Sequence, residues 1–167
     1  EIPTAELTAK RGAKLATAMF NAGHVLSARV EFDANSTLEL LDLNATLFEL
    51  EPRLDAELVR RAVFNVVAHN RDDHARNTSY LWTPGDGWHL APAYDLTHSM
   101  GPRPVFAANG PGEHYLDVAG KGTDILRADL IGLHRPAGMA AADVSDMIDA
   151  ALDAVGTWSA LASANGV

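Results

Sequence analysis

The chain has no cysteine. That excludes a disulfide framework and any thiolate metal site. Basic residues are few, with 13 Lys and Arg against 22 Asp and Glu and a formal net charge of −9. Such a balance argues against broad binding to nucleic acid or to an anionic membrane surface, since both rest on basic patches. No stretch approaches the roughly 20 apolar residues of a membrane span, and no signal peptide is visible. The expectation is a cytoplasmic domain with no direct nucleic-acid or membrane partner. Apolar residues make up 47 % of 167. That is enough for a real core, and residues 1–167 read as a single domain. The first residue is Glu1 rather than Met, as expected of a piece of a longer protein.

Periodicity predicts a mainly α fold with one small β-hairpin. A helix is expected over Thr4–Gly23 and one or two short ones within Thr37–Leu50. The clearest helix is Asp55–Ala68. There Leu58, Val59, Ala62, Val63, Val66 and Val67 recur at intervals of three and four, Arg60 and Arg61 fall outside, and Asp55 can cap. Tyr80–Thr83 and Trp88–Ala91 are β-prone runs around "PGDG", a turn signal, so Trp82 and Trp88 are expected as a cross-strand pair. Residues 99–122 hold five Gly and three Pro and show no period, which reads as a long loop. A short helix over Thr123–Leu133 and a long one over Ala141–Ala164 complete the chain.

Between the Asp55 helix and the hairpin lies "HNRDDHARN", residues 69–77. A solvated loop needs few of these groups, whereas a reaction centre needs most of them. Asp72 is followed by four residues and then Asn77; Asp95 comes eighteen residues later, at the end of the hairpin in "YDL". That order is the order of a protein-kinase catalytic loop and its metal-binding Asp. The chemistry needs a carboxylate to orient an attacking hydroxyl and accept its proton. It also needs hard oxygen ligands for a Mg²⁺ that compensates phosphate charge.

The run "FNVVAHNRDDHARNTSYLW…GWHLAPAYDL" resembles the HipA-type serine/threonine kinases, toxins of bacterial toxin–antitoxin pairs. Their stretch is an apolar helix, then N-x-D-D-H-x-K-N, then a hairpin ending in L-x-P-A-Y-D. The likeness is dense over residues 58–96 and looser on both sides. It implies a helical C-terminal kinase lobe that transfers the γ-phosphoryl of ATP to a protein Ser or Thr. Asp72 would be the base, Asn77 and Asp95 the Mg²⁺ ligands, and His74 and Arg76 would line the nucleotide phosphates. Arg76 stands where the family more often has Lys. It further implies an N-terminal lobe carrying the phosphate-binding lysine. Here only Lys10, Lys14 and Lys121 exist, none in a strand-like segment. The resemblance therefore predicts a lobe with little activity alone. Implied partners are that missing lobe, a HipB-like DNA-binding antitoxin, and a protein substrate such as an aminoacyl-tRNA synthetase.

The remaining residues of the motif have simpler expectations. Asp73 should point away from the site and cap or pair with Arg71 or Arg76, so Asp73→Asn should matter far less than Asp72→Asn. His69, at the end of an apolar helix, reads as a cap or packed histidine. Two other functions remain open. A metal-dependent hydrolase could use His69, Asp72, Asp73 and His74, but three of these are consecutive and the reading leaves Asn77 and Asp95 without roles. A non-catalytic module could bind an antitoxin or target through the same lobe.

Overall fold

The computed structural model describes residues 36–41, 52–83, 87–99 and 112–166. Over 52–54, 81–83 and 87–89 the description covers the backbone alone. The expected Thr4–Gly23 helix lies outside these residues, as do most of Thr37–Leu50 and the middle of the 99–122 stretch.

Residues 37–41 form a helical segment. Ser36 opens it, its Oγ accepting the Glu39 N–H at 3.1 Å, the usual service of a hydroxyl to an otherwise unpaired donor. Helix α1 spans Pro52–Val67. It begins three residues before the expected Asp55, because proline suits the first helical position, where its missing N–H costs nothing. Strands β1 (Tyr80–Thr83) and β2 (Gly87–Leu90) form an antiparallel hairpin. Its register sets Trp82 opposite Trp88 and Tyr80 opposite Leu90. Helix α2 is Arg127–Gly132, α3 is Ala141–Gly156 and α4 is Trp158–Ala164. The protein is mainly α, with a two-stranded sheet among the described residues.

Two boundaries depart from the periodic pattern. The helix expected from Thr123 starts only at Arg127. The Asp129 carboxylate accepts the Leu126 N–H at 2.8 Å and holds the Lys121 ammonium, which fixes Leu126 in an extended conformation (φ −92°, ψ 161°). The Lys121 contact, then the Leu126 N–H, also lowers the Asp129 pKa below its usual value. The long last helix is two helices. Thr157 turns its hydroxyl back onto the Ala154 carbonyl at 2.7 Å, and the preceding residue is Gly156. Both weaken a helix interior.

The core forms where α1 packs on α3, with α2 against α3. Val59, Val63 and Val144 are fully buried and Leu58 and Ile148 nearly so. Each such side chain stabilises the fold by about 1.5–3 kcal/mol. Leu40, Leu41, Tyr80, Leu130 and Leu133 join the same cluster. So do Leu116 and Val118, from the stretch expected as open loop. Along residues 112–118 burial alternates: His114, Leu116 and Val118 face inward while Glu113 and Tyr115 face out. Bridges Ser36 to Asp117 and Val118 to Lys121 hold this extended run against its neighbours. Among the described residues no helix is long and apolar enough to cross a membrane.

Candidate functional site

Helix α1 stops where the polar run begins. His69 adopts a left-handed φ of 54°, which non-glycine residues rarely take, and this redirects the chain. Asn70 is buried and donates its amide to Asn65 Oδ1 at 3.0 Å, fastening the loop to the helix it has just left. A 3-10 turn, Ala75–Asn77, then curls back. The curl brings Asn77 over Asp72, whose carbonyl accepts Asn77 Nδ2 at 2.9 Å.

Asp72 is held by its backbone and left open at its carboxylate. Its N–H donates to Ser99 Oγ at 2.7 Å and its carbonyl takes the Asn77 amide. The side chain is 51 % exposed and makes no hydrogen bond among the described residues; its nearest charged neighbour is His74 Nε2 at 3.9 Å, beyond hydrogen-bond reach. His74 packs edge-on against Tyr115 with ring centres 5.7 Å apart, and its buried Nδ1 has no partner among the described residues. Arg76 is exposed.

Asp95 enters from the hairpin exit. The Tyr94 hydroxyl lies 2.6 Å from both the Arg76 carbonyl and Ser79 Oγ. Ser99, four residues after Asp95, donates its N–H to the His69 carbonyl at 3.1 Å in addition to accepting from Asp72. The segment bearing Asp95 is thus tied at both ends to the loop bearing Asp72 and Asn77. Asp95 itself is exposed and has φ 56°, a conformation that costs energy and recurs at functional positions.

Asp73 points away from this surface, as expected, but its partner is neither Arg71 nor Arg76. Its buried carboxylate accepts from His114 Nδ1 at 2.9 Å, from the Tyr115 N–H at 2.8 Å and from the Leu116 N–H at 3.3 Å. An inward carboxylate beside an extended segment finds its donors there, whereas an arginine would have to bring a second charge out of water. The expectation that Asp73 is dispensable therefore gives way to a structural role. His69 is not a cap either. It is exposed, with Nδ1 3.1 Å from Arg71 Nη2 and its ring edge-on to His98. Partial desolvation of the ring, then the neighbouring Arg71, His98 and His114, lower its pKa.

Sequence reasoning overlooked Tyr94, Ser99 and His114 as supports of the loop. His114 had a signal, since "HYLDV" alternates apolar and polar as a half-buried strand does. Ser99 had none, because a lone serine before a glycine-rich stretch carries no pattern.

A family model of the HipA-like C-terminal domain matches residues 13–158. The chain belongs to the HipA-like C-terminal domain family. No curated protein matches it. Membership accords with the motif and with the mainly helical fold, and the HipA-like family is one associated with kinase activity.

Proposed function

We propose that this HipA-like chain is the C-terminal catalytic lobe of a serine/threonine protein kinase, acting in the cytoplasm as one domain over 1–167. The observation that carries the reading is Asp72, fixed through its N–H and its carbonyl, with a half-exposed carboxylate left unbonded. That is what a general base toward an incoming hydroxyl requires. In this reading Asp72 orients the substrate hydroxyl and accepts its proton as the oxygen attacks the γ-phosphorus of ATP.

The residues present fit a magnesium ion by their chemistry. Asn77 spends its Nδ2 on the Asp72 carbonyl, so its Oδ1 is the end left for a cation. Asp95 supplies a carboxylate, and both are hard oxygen donors. Asn77 and Asp95 would hold Mg²⁺, which when bound neutralises charge on the nucleotide phosphates. His74 and Arg76 would face those phosphates. The hydrolase alternative loses ground because the Asp73 carboxylate is committed to His114 while Asp72 is open to solvent. Among the described residues no group of three His, Asp or Glu is placed to hold a metal.

Lys121, one of the three lysines, is paired with Asp129, which supports assigning the phosphate-binding lysine to another lobe. The implied partners are that lobe, a HipB-like antitoxin, and a protein substrate of the aminoacyl-tRNA synthetase kind. The test is phosphoryl transfer from labelled ATP by the chain alone and by the chain joined to its N-terminal lobe. The chain alone should fall far below about 1–100 per second, the range of complete kinases. Transfer by the joined protein that survives Asp72→Asn would defeat the proposal.

A further inference from the structure

Arg71 carries a charge that no carboxylate among the described residues answers. Its Nη2 donates to His69 Nδ1 at 3.1 Å and its Nη1 reaches the Ser99 carbonyl at 3.5 Å; both acceptors are neutral. A guanidinium is only a donor. His69 Nδ1 therefore accepts, and the ring proton sits on Nε2, giving a second donor. His114 donates its Nδ1–H to Asp73, so Nε2 of the neutral ring is an acceptor and would donate to an anion only with a second proton on the ring.

These three side chains line one pocket of about 260 Å³, with Gly122, Thr123 and Asp124 completing its polar wall. Asp124 is the only acid among the described residues that line it, and it is exposed, where water screens it. The Glu113 carboxylate lies beside Gly122 and is likewise exposed, and Asp73 is spent on His114 and two backbone amides. The pocket thus gathers an unpaired guanidinium, two imidazoles and a hydroxyl around one space. Desolvation first, and then the neighbouring Arg71, His98 and His114, disfavour a proton on His69, and a bound anion would oppose the contribution of these neighbours.

We propose that this pocket is an anion site that takes a phosphoryl group, carried on a polypeptide side chain or as free phosphate. Donors from several directions suit a tetrahedral group with three oxygens better than a planar carboxylate, which the Arg71 fork would satisfy by itself. The volume leaves room for the residue that bears the phosphate. The site is separate from the Asp72 carboxylate, and its binding is measured without nucleotide, so it stands or falls independently of the kinase reading.

The experiment follows the His69 and His114 imidazole resonances while the 167-residue chain is titrated at constant ionic strength. The probes are inorganic phosphate, a phosphoserine peptide and the same peptide unphosphorylated. Saturable shifts with both phosphate probes, none with the unphosphorylated peptide, and a rise in the His69 pKa are expected. Arg71→Gln should weaken binding about tenfold or more, the loss of a charge-assisted hydrogen bond. Arg71→Lys should lose less, and Arg60→Gln, remote and paired with Glu57, nothing. Tighter binding of the phosphopeptide than of phosphate identifies a polypeptide source; equal binding identifies free phosphate. If Arg71→Gln fails to melt cooperatively, Thr123→Val at the exposed mouth serves instead and should also weaken binding. Absence of a saturable shift at His69 and His114 overturns the proposal, as does undiminished phosphate binding by a folded Arg71→Gln or, in its place, Thr123→Val.

Discussion

The Asp73 carboxylate accepts a hydrogen bond from His114 Nδ1 at 2.9 Å, with the side chains 4 % and 5 % exposed. Forty-one residues separate the two in sequence. The bond locks the extended 114–118 run beneath the loop that carries Asp72. Asp73→Asn sets an amide N–H₂ against the imidazole N–H or forces the ring to change tautomer. It should cost about 1–3 kcal/mol, the penalty for an unpaired buried polar group. Urea unfolding measures it, and a midpoint equal to that of the parent would refute the clamp.

Asp72→Asn should behave in the opposite way. Its carboxylate is half-exposed and bonded to nothing among the described residues, so stability should move by no more than about 0.5 kcal/mol. In the protein joined to its N-terminal lobe, phosphoryl transfer should fall by about 10²–10⁴, the usual contribution of a general base, with ATP affinity kept. Asp95→Asn should instead weaken Mg-ATP binding, read by calorimetry. Equal loss of nucleotide affinity in both variants would contradict the division of roles.

Tyr94→Phe removes the hydroxyl that joins the Arg76 carbonyl to Ser79. We expect a stability loss of about 0.5–1.5 kcal/mol, that of an ordinary hydrogen bond. In the joined protein a fall in turnover should accompany it, because the segment bearing Asp95 loses its tie to the loop at the hairpin end. Unchanged melting together with unchanged turnover would show that Tyr94 does not position Asp95.

The His69 pKa lies below its ordinary 6.5, chiefly through burial and then Arg71. The sign follows from linkage: the unfolded chain binds this proton more readily, so the His69 contribution is intact above pH 6.5 and lost as pH falls through the folded pKa. The effect is small because the residue is exposed. His69→Gln should flatten the decline in melting temperature between neutral and mildly acid pH. A steeper decline in the variant would mean that the sign is wrong.

The sequence by itself determined what is local. The apolar rhythm of residues 55–68 names a helix because each residue meets neighbours three and four positions away. The two β-prone runs around "PGDG" name a hairpin for a similar reason, and the strands observed differ from those expected by one residue. The spacing of Asp72, Asn77 and Asp95 was legible as a motif and led to the family that the comparison shows. Only the tertiary structure decided which groups hold that motif. Asp72 meets Ser99 across 27 residues and Asp73 meets His114 across 41, and no local rule sets the path of the chain between them. Arg71 and Asp73 stand two residues apart in the chain, yet the fold turns the carboxylate into the core and the guanidinium into a pocket with His69. Adjacent side chains on an irregular loop share no face, so their partners are fixed by whichever distant segment packs there.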